Sequence, residues 1–187
     1  MSWIKDRPCP IERLTWLRER IKFDAIIDIG SGDVTGEPTY FLDAVFPDLP
    51  HYNYDKDPKF SDHSNIVELG EDLHLDDILS NTLFNNAFYK IDVDGPEIAI
   101  LKGSTNILLN TSAIMIECVL DDGKFLNICN WMRENDWALM DVIEPIYRRS
   151  MMLIQVDLVF VKASIFKSVE QSCYIESPDF PTGHNLK

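Results

Sequence analysis

The segment Lys90-Ile91-Asp92-Val93-Asp94-Gly95-Pro96-Glu97 runs an apolar stretch straight into three carboxylates. Acids gathered at one place cost free energy unless they bind a cation, share protons or meet a substrate rich in donors. Glu97 also has a structural role open to it, because an acid in the first turn of a helix offsets the unpaired N–H groups there. Asp92 and Asp94 have no such role and are candidates for a general base. A further acid, Glu117, lies inside the apolar run Ile114-Met115-Ile116-Glu117-Cys118-Val119. If that run forms the strand beside the one ending at Asp92, the two acids meet in one site.

Two other segments have the make-up of a nucleotide cradle. In Asp28-Ile29-Gly30-Ser31-Gly32-Asp33-Val34-Thr35-Gly36, the glycines allow a sharp turn and a close approach of backbone to ligand. Asp28, Gly30, Ser31 and Gly32 are therefore cofactor-binding candidates. The spacing departs from the dinucleotide pattern G-x-G-x-x-G, since Thr35 stands where the third glycine belongs, which counts against NAD. Asp55, within Tyr54-Asp55-Lys56-Asp57-Pro58, is placed at the end of the next strand, where a carboxylate can accept both ribose hydroxyls of an adenosine cofactor.

Composition narrows the partners. The 187 residues carry 31 acidic and 17 basic side chains, a formal charge of −14, which repels phosphate backbones and anionic lipid and argues against nucleic acid. Cys9, Cys118, Cys129 and Cys173, and His51, His63, His74 and His184, show no metal-ligand spacing, so reduced thiols and ordinary polar histidines are expected. No apolar run is long enough to span a membrane, and Met1 to Arg7 do not resemble a signal peptide, which leads to the expectation of a cytoplasmic protein.

The elements that must position these residues follow from hydrophobic spacing. Ile11, Leu14, Leu17 and Ile21 predict an N-terminal amphipathic helix within 1–22, and 23–29 predicts a buried strand. Glu37-Pro38 is expected to open the next helix, with Phe41, Leu42, Val45 and Phe46 on its apolar face. Strands are expected at 52–55, 65–69, 89–93 and 112–119, and helices at 75–84, 96–109 and 122–135. Runs 138–143 and 153–161 are too close together for a crossover helix and predict an antiparallel hairpin. The fold class is α/β, an open, mostly parallel sheet with helices on both faces, as one domain over 1–175 and a loose tail over 176–187.

Taken together, Asp28 to Gly32, Asp55 to Pro58 and above all Lys90 to Gly103 resemble the FkbM-like family of S-adenosylmethionine-dependent O-methyltransferases. Ile116-Glu117 and the segment Gln155-Val156-Asp157 to Val161 resemble the later strands of that family. The resemblance implies a class I methyltransferase (Rossmann-like) sheet of about seven strands with a reversed C-terminal hairpin. It also implies S-adenosylmethionine as cofactor and a sugar or glycan hydroxyl as acceptor. Asp28, Gly30 and Gly32 would then line the methionine end of the cofactor and Asp55 its ribose, while Asp92, Asp94, Glu97 and Glu117 face the transfer site.

The glycine turn is longer than the family's, and the segment before the first strand is short, which leaves acceptor recognition to the N-terminal helix, a homodimer partner or a surface open to a large glycan. A place within a larger glycan-processing polypeptide is the related expectation. For chemistry, the expectation is Asp94 or Asp92 as general base, assisted by Mg²⁺ held by Asp92, Asp94 and Glu117. Two other readings stand beside this one: a nucleotide-dependent oxidoreductase, and a non-catalytic glycan- or protein-binding module on the same fold.

Overall fold

The apolar run before the glycine turn forms β1 (Ala25–Ile29), with all five residues buried. In the computed structural model, which describes residues 10–32, 40–62, 64–120, 123–148 and 152–176, this strand sits near the middle of the sheet. Ahead of it, α1 (Pro10–Arg20) starts on a proline, which suits a first turn whose N–H groups lack partners, and buries Leu14 and Leu17. After it come α2 (Tyr40–Val45), β2 (His51–Asp55) and a 3-10 turn (Pro58–Phe60) capped by Asp57, whose carboxylate accepts from the Lys59 N–H. Then follow β3 (Asn65–Ile66), α3 (Leu75–Ile78), β4 (Ala87–Ile91), α4 (Glu97–Lys102), α5 (Thr105–Leu109), β5 (Thr111–Val119) and α6 (Lys124–Glu134). The chain closes with β6 (Trp137–Tyr147), β7 (Leu153–Lys162) and α7 (Ala163–Glu176).

The seven strands lie in the order β3-β2-β1-β4-β5-β7-β6. All neighbours from β3 to β5 are parallel, and β7 runs antiparallel to both β5 and β6. Period-two alternation sends successive side chains to opposite faces of the sheet. On one face Ile27, Ile29, Tyr89, Ile91, Ile114 and Ile116 pack with Leu101 and Met132 of α4 and α6. On the other, Ile26, Phe88, Met115 and Val159 pack with Leu14 and Leu42 of α1 and α2. There Phe23 meets Phe46 and Phe88 edge-on with ring centroids 5.7 Å apart. Burial of such side chains contributes about 1.5–3 kcal/mol each, and this anchors α2 below the glycine turn.

Four expectations change. The helix predicted over 96–109 is two helices, broken at Gly103 and Ser104; a Cβ on Gly103 would lie 2.9 Å from the His74 ring, so the break admits His74. The helix expected to reach residue 84 ends at Ile78, and the strand expected over 65–69 is the two-residue edge β3. Helix α7 was not foreseen, because Ile165, Phe166 and Val169 make only a narrow apolar stripe among polar residues. The expected helix start at Glu37-Pro38, the turn from Asp33 to Gly36 and the tail beyond Glu176 lie outside the described residues.

Candidate active site

Asp28 on β1 and Lys90 on β4 are register partners, so both project from the same face at the carboxyl end of the sheet. Lys90 is 1 % exposed and Asp28 2 %. The Lys90 ammonium donates to Asp28 Oδ1 (3.1 Å) and to the Gly30 carbonyl (3.2 Å), and it pairs with Asp92 Oδ2 at 2.9 Å. An ammonium has three N–H donors, and these three oxygens account for them. Burial pushes its proton affinity down, but the charges of Asp28 and Asp92 outweigh burial and hold Lys90 protonated well above the usual lysine range. One buried cation thus ties the ends of two central strands together.

The glycine turn is fixed by its neighbours. Gly30 has φ +75°, and a Cβ there would stand 1.8 Å from the Asp92 carbonyl oxygen. Only glycine permits that crossing. The Gly30 and Ser31 N–H groups donate to the Tyr54 carbonyl (2.9 and 3.3 Å), and the Gly32 N–H donates to Asp55 Oδ2 at 3.2 Å. Asp55 Oδ1 accepts from the Asp57 N–H at 2.8 Å. The Phe60 ring fills the place of a Gly32 side chain, 2.2 Å from where a Cβ would stand. A carboxylate offers about four acceptor positions, so Asp55 retains capacity for further donors after these two backbone bonds.

Above these strand ends lies a cavity of about 640 Å³ lined by Gly30, Gly32, Asp55, Asp92, Asp94 and Glu117, with Val67, Leu69 and Ile100 as apolar wall. That is within the size range of small-molecule sites. The cavity brings together every expected site residue except Asp28, which stands behind it on Lys90, and Ser31, which is buried and bonded through its hydroxyl to Ser64. Glu97 lies elsewhere: it is buried, and its carboxylate accepts from the Gly95 N–H at 3.0 Å at the start of α4. Its role is structural.

Glu117 and Asp157 face each other across β5 and β7. The Gln155 side-chain amide donates to Glu117 Oε1, and Glu117 is hydrogen-bonded to Asp92. Burial, then the charge of Asp92 and its hydrogen bond, then Asp157 and Asp94, push the Glu117 carboxyl up to about 8. Burial and Asp92, opposed by Lys90, raise Asp157 to about 7. Asp92 itself is 40 % exposed. Asp94 is exposed at the rim, where it also borders a second cavity of about 730 Å³ with Glu71, His74 and Lys102.

The expected magnesium set is corrected by this geometry. Among the described residues no group of three or more His, Cys, Asp or Glu side chains is arranged to hold a metal ion. Asp92 is turned to Lys90 and Glu117, Glu117 is held by Gln155, and Asp94 stands apart on the rim. Lys90, Gln155 and Asp157 are the residues the sequence reading did not place in the site. A lysine in the middle of an apolar run, and two polar residues alternating with apolar ones in the last strand, were the available signals.

No family profile and no curated protein matches the chain. Solved structures do. An rRNA methylase from Streptococcus thermophilus aligns with TM-score 0.51 and 16% identity over 82% of this chain and 96% of its own. TrmK of M. capricolum, solved with its natural cofactor product S-adenosyl-homocysteine, aligns with TM-score 0.51 and 13% identity over 81% of this chain and 67% of its own. The METTL16 methyltransferase domain gives 0.50 and 12% over 82% and 67%. With the strand order and the reversed hairpin, these alignments show that the chain has the class I, Rossmann-like methyltransferase fold.

Proposed function

We propose that the chain is an S-adenosylmethionine-dependent O-methyltransferase acting on a sugar or glycan hydroxyl. The observation that carries this reading is the single cavity that joins the glycine turn and Asp55 to Asp92, Asp94 and Glu117. The donor set fits the cofactor. Asp55 has acceptor capacity left for ribose hydroxyls, Val67, Leu69 and Ile100 offer an apolar wall for the adenine, and the Gly30–Gly32 backbone, with Asp28 behind it, lines the remaining side. When bound, S-adenosylmethionine supplies a methyl group activated by the sulfonium charge.

The chain's own residues have three tasks. They hold the acceptor oxygen in line, which for well-oriented partners removes about 7–11 kcal/mol of barrier. They surround it with hydrogen-bond acceptors, and the acid-lined rim around Asp92, Asp94 and Glu117 suits a polyhydroxyl ligand that brings many donors. They also remove the hydroxyl proton, for which Asp94 and Asp92 are the rim candidates. Support for oxygen as the methylated atom comes from the resemblance of 90–103 to the FkbM-like family. The charge of −14 supports a neutral acceptor over a polyanion.

The test is transfer of labelled methyl from S-adenosylmethionine to a panel of methyl glycosides, oligosaccharides and RNA. Label on a glycan hydroxyl supports the reading. Label on RNA alone would replace the acceptor assignment while keeping the cofactor, and binding of NAD instead would favour an oxidoreductase.

A further inference from the structure

Glu117 and Asp92 are joined by a hydrogen bond, and two carboxyl groups can bond to each other only through a proton that one of them keeps. The surroundings say why the proton stays. Asp28 and Asp92 lie on the lysine side of the cluster, Asp157 faces Glu117 from β7, Glu144 of β6 acts on Asp157, and Asp94 acts on Glu117 from the rim. Against these acids stands the one buried cation Lys90, whose three donors are already spent on Asp28, Gly30 and Asp92. Gln155 donates to the other side of Glu117 and fixes its orientation toward the cavity it lines. Like charges this close cannot all ionise together.

We propose that Glu117 and Asp92 share one proton before cofactor binds, and that they release it when a sulfonium cofactor enters the cavity, leaving Glu117 as the carboxylate that receives the acceptor's hydroxyl proton. The inference rests on the S-adenosylmethionine reading. Asp157 and Gln155 are positioning residues: they hold Glu117 in place, and Asp157 keeps its proton affinity high. The upward displacement of Glu117 to about 8 and of Asp157 to about 7 agrees with a pair that holds a proton at neutral pH. The balance closes over a turnover: the acceptor's O–H proton goes to Glu117, the methyl carbon to the acceptor oxygen and the C–S electron pair to sulfur. A neutral thioether then remains, and the pair is again protonated.

An opposite charge nearby lowers a carboxyl pKa by about 1–3 units, so binding of S-adenosylmethionine at pH 7 is expected to release roughly half a proton or more from a pair titrating near 8. Calorimetric titration in phosphate and in Tris, whose ionisation enthalpies differ, measures this release. S-adenosylhomocysteine is the control, since it has the same amino and carboxyl groups and lacks the sulfonium charge. Expected are clear release with S-adenosylmethionine, little with S-adenosylhomocysteine, and loss of release in Glu117→Gln. Asp157→Asn, which removes a charge facing Glu117, should bind with diminished release, and it decides the matter if Glu117→Gln does not bind. Binding of S-adenosylmethionine with no proton released, or full release persisting in the variants, overturns the inference and leaves the cofactor reading intact. Failure of a folded sample to bind either compound overturns both.

Discussion

Replacing Lys90 with methionine keeps much of the side chain's volume and removes the charge, which isolates what the ammonium does. In the native protein that ammonium meets Asp28, the Gly30 carbonyl and Asp92 while 1 % exposed. Without it Asp28, itself 2 % exposed, is left as a buried carboxylate with no cation. Removing one partner of a buried pair costs about 3–5 kcal/mol. For a domain of this size each kcal/mol moves Tm by about 2–4 °C, so Lys90→Met should melt roughly 6–20 °C below the native chain at pH 7. The loss has a sign in pH. The folded pKa of Lys90 is raised, so its contribution is fully present below the unfolded lysine value and does not change between pH 5 and 8. The orphaned Asp28, in contrast, can take up a proton as pH falls, and the variant's deficit should shrink toward pH 4. Adding Asp28→Asn to Lys90→Met should recover most of the loss. Thermal unfolding followed by circular dichroism at several pH values reads all of this. A deficit under about 1 kcal/mol, far below that of a broken buried pair, or one that does not shrink with acid, would refute the argument that Lys90 is the cation that makes this acidic site tolerable.

Other outcomes follow from the same geometry. Asp55→Ala removes the acceptor of the Gly32 and Asp57 N–H groups and of the expected ribose hydroxyls; S-adenosylhomocysteine affinity should fall by about 10–100-fold, as for hydrogen bonds to charged groups, and unchanged calorimetric affinity would remove Asp55 from the site. Gly30→Ala should destabilise strongly, because φ is +75° and the new Cβ would meet the Asp92 carbonyl at 1.8 Å; a melting temperature equal to the native one would contradict the described turn. Glu117 is raised from 4.5 to about 8, so the folded state holds a proton that the unfolded state gives up, and this contribution is present at low pH and lost as pH rises from about 4.5 to about 8. Glu117→Gln should therefore flatten the decline in stability across that window in pH-resolved melting curves, and an unchanged decline would place the titration elsewhere.

Much of the fold was legible because buried parallel strands announce themselves: 25–29, 87–91 and 111–116 are short, apolar and followed by glycine or acid. What could not be read was decided by contacts between distant residues. The split between α4 and α5 depends on His74 reaching Gly103, and β3 is short because it pairs on one side only, as the sheet's edge. In the site, Asp55 and the glycines were placed by their position at strand ends, which is a local property. The charge balance was not local. Clustered Asp92, Asp94 and Glu117 called for a cation, and magnesium was the expected one; the cation that meets Asp92 is Lys90, two residues earlier in the same motif, whose neighbour across the sheet is Asp28. Gln155 and Asp157 enter the site only through the reversed strand β7, whose register against β5 pairs Asp157 with Glu117.

The central claim is that the cavity over the glycine turn is a site for an S-adenosyl cofactor. Calorimetric titration of the folded chain with S-adenosylhomocysteine, beside NAD as a control, tests it most directly. Micromolar binding of S-adenosylhomocysteine with none for NAD is the predicted result. No binding of S-adenosylhomocysteine by a sample that melts cooperatively would contradict the claim and leave the chain as a methyltransferase fold used for another purpose.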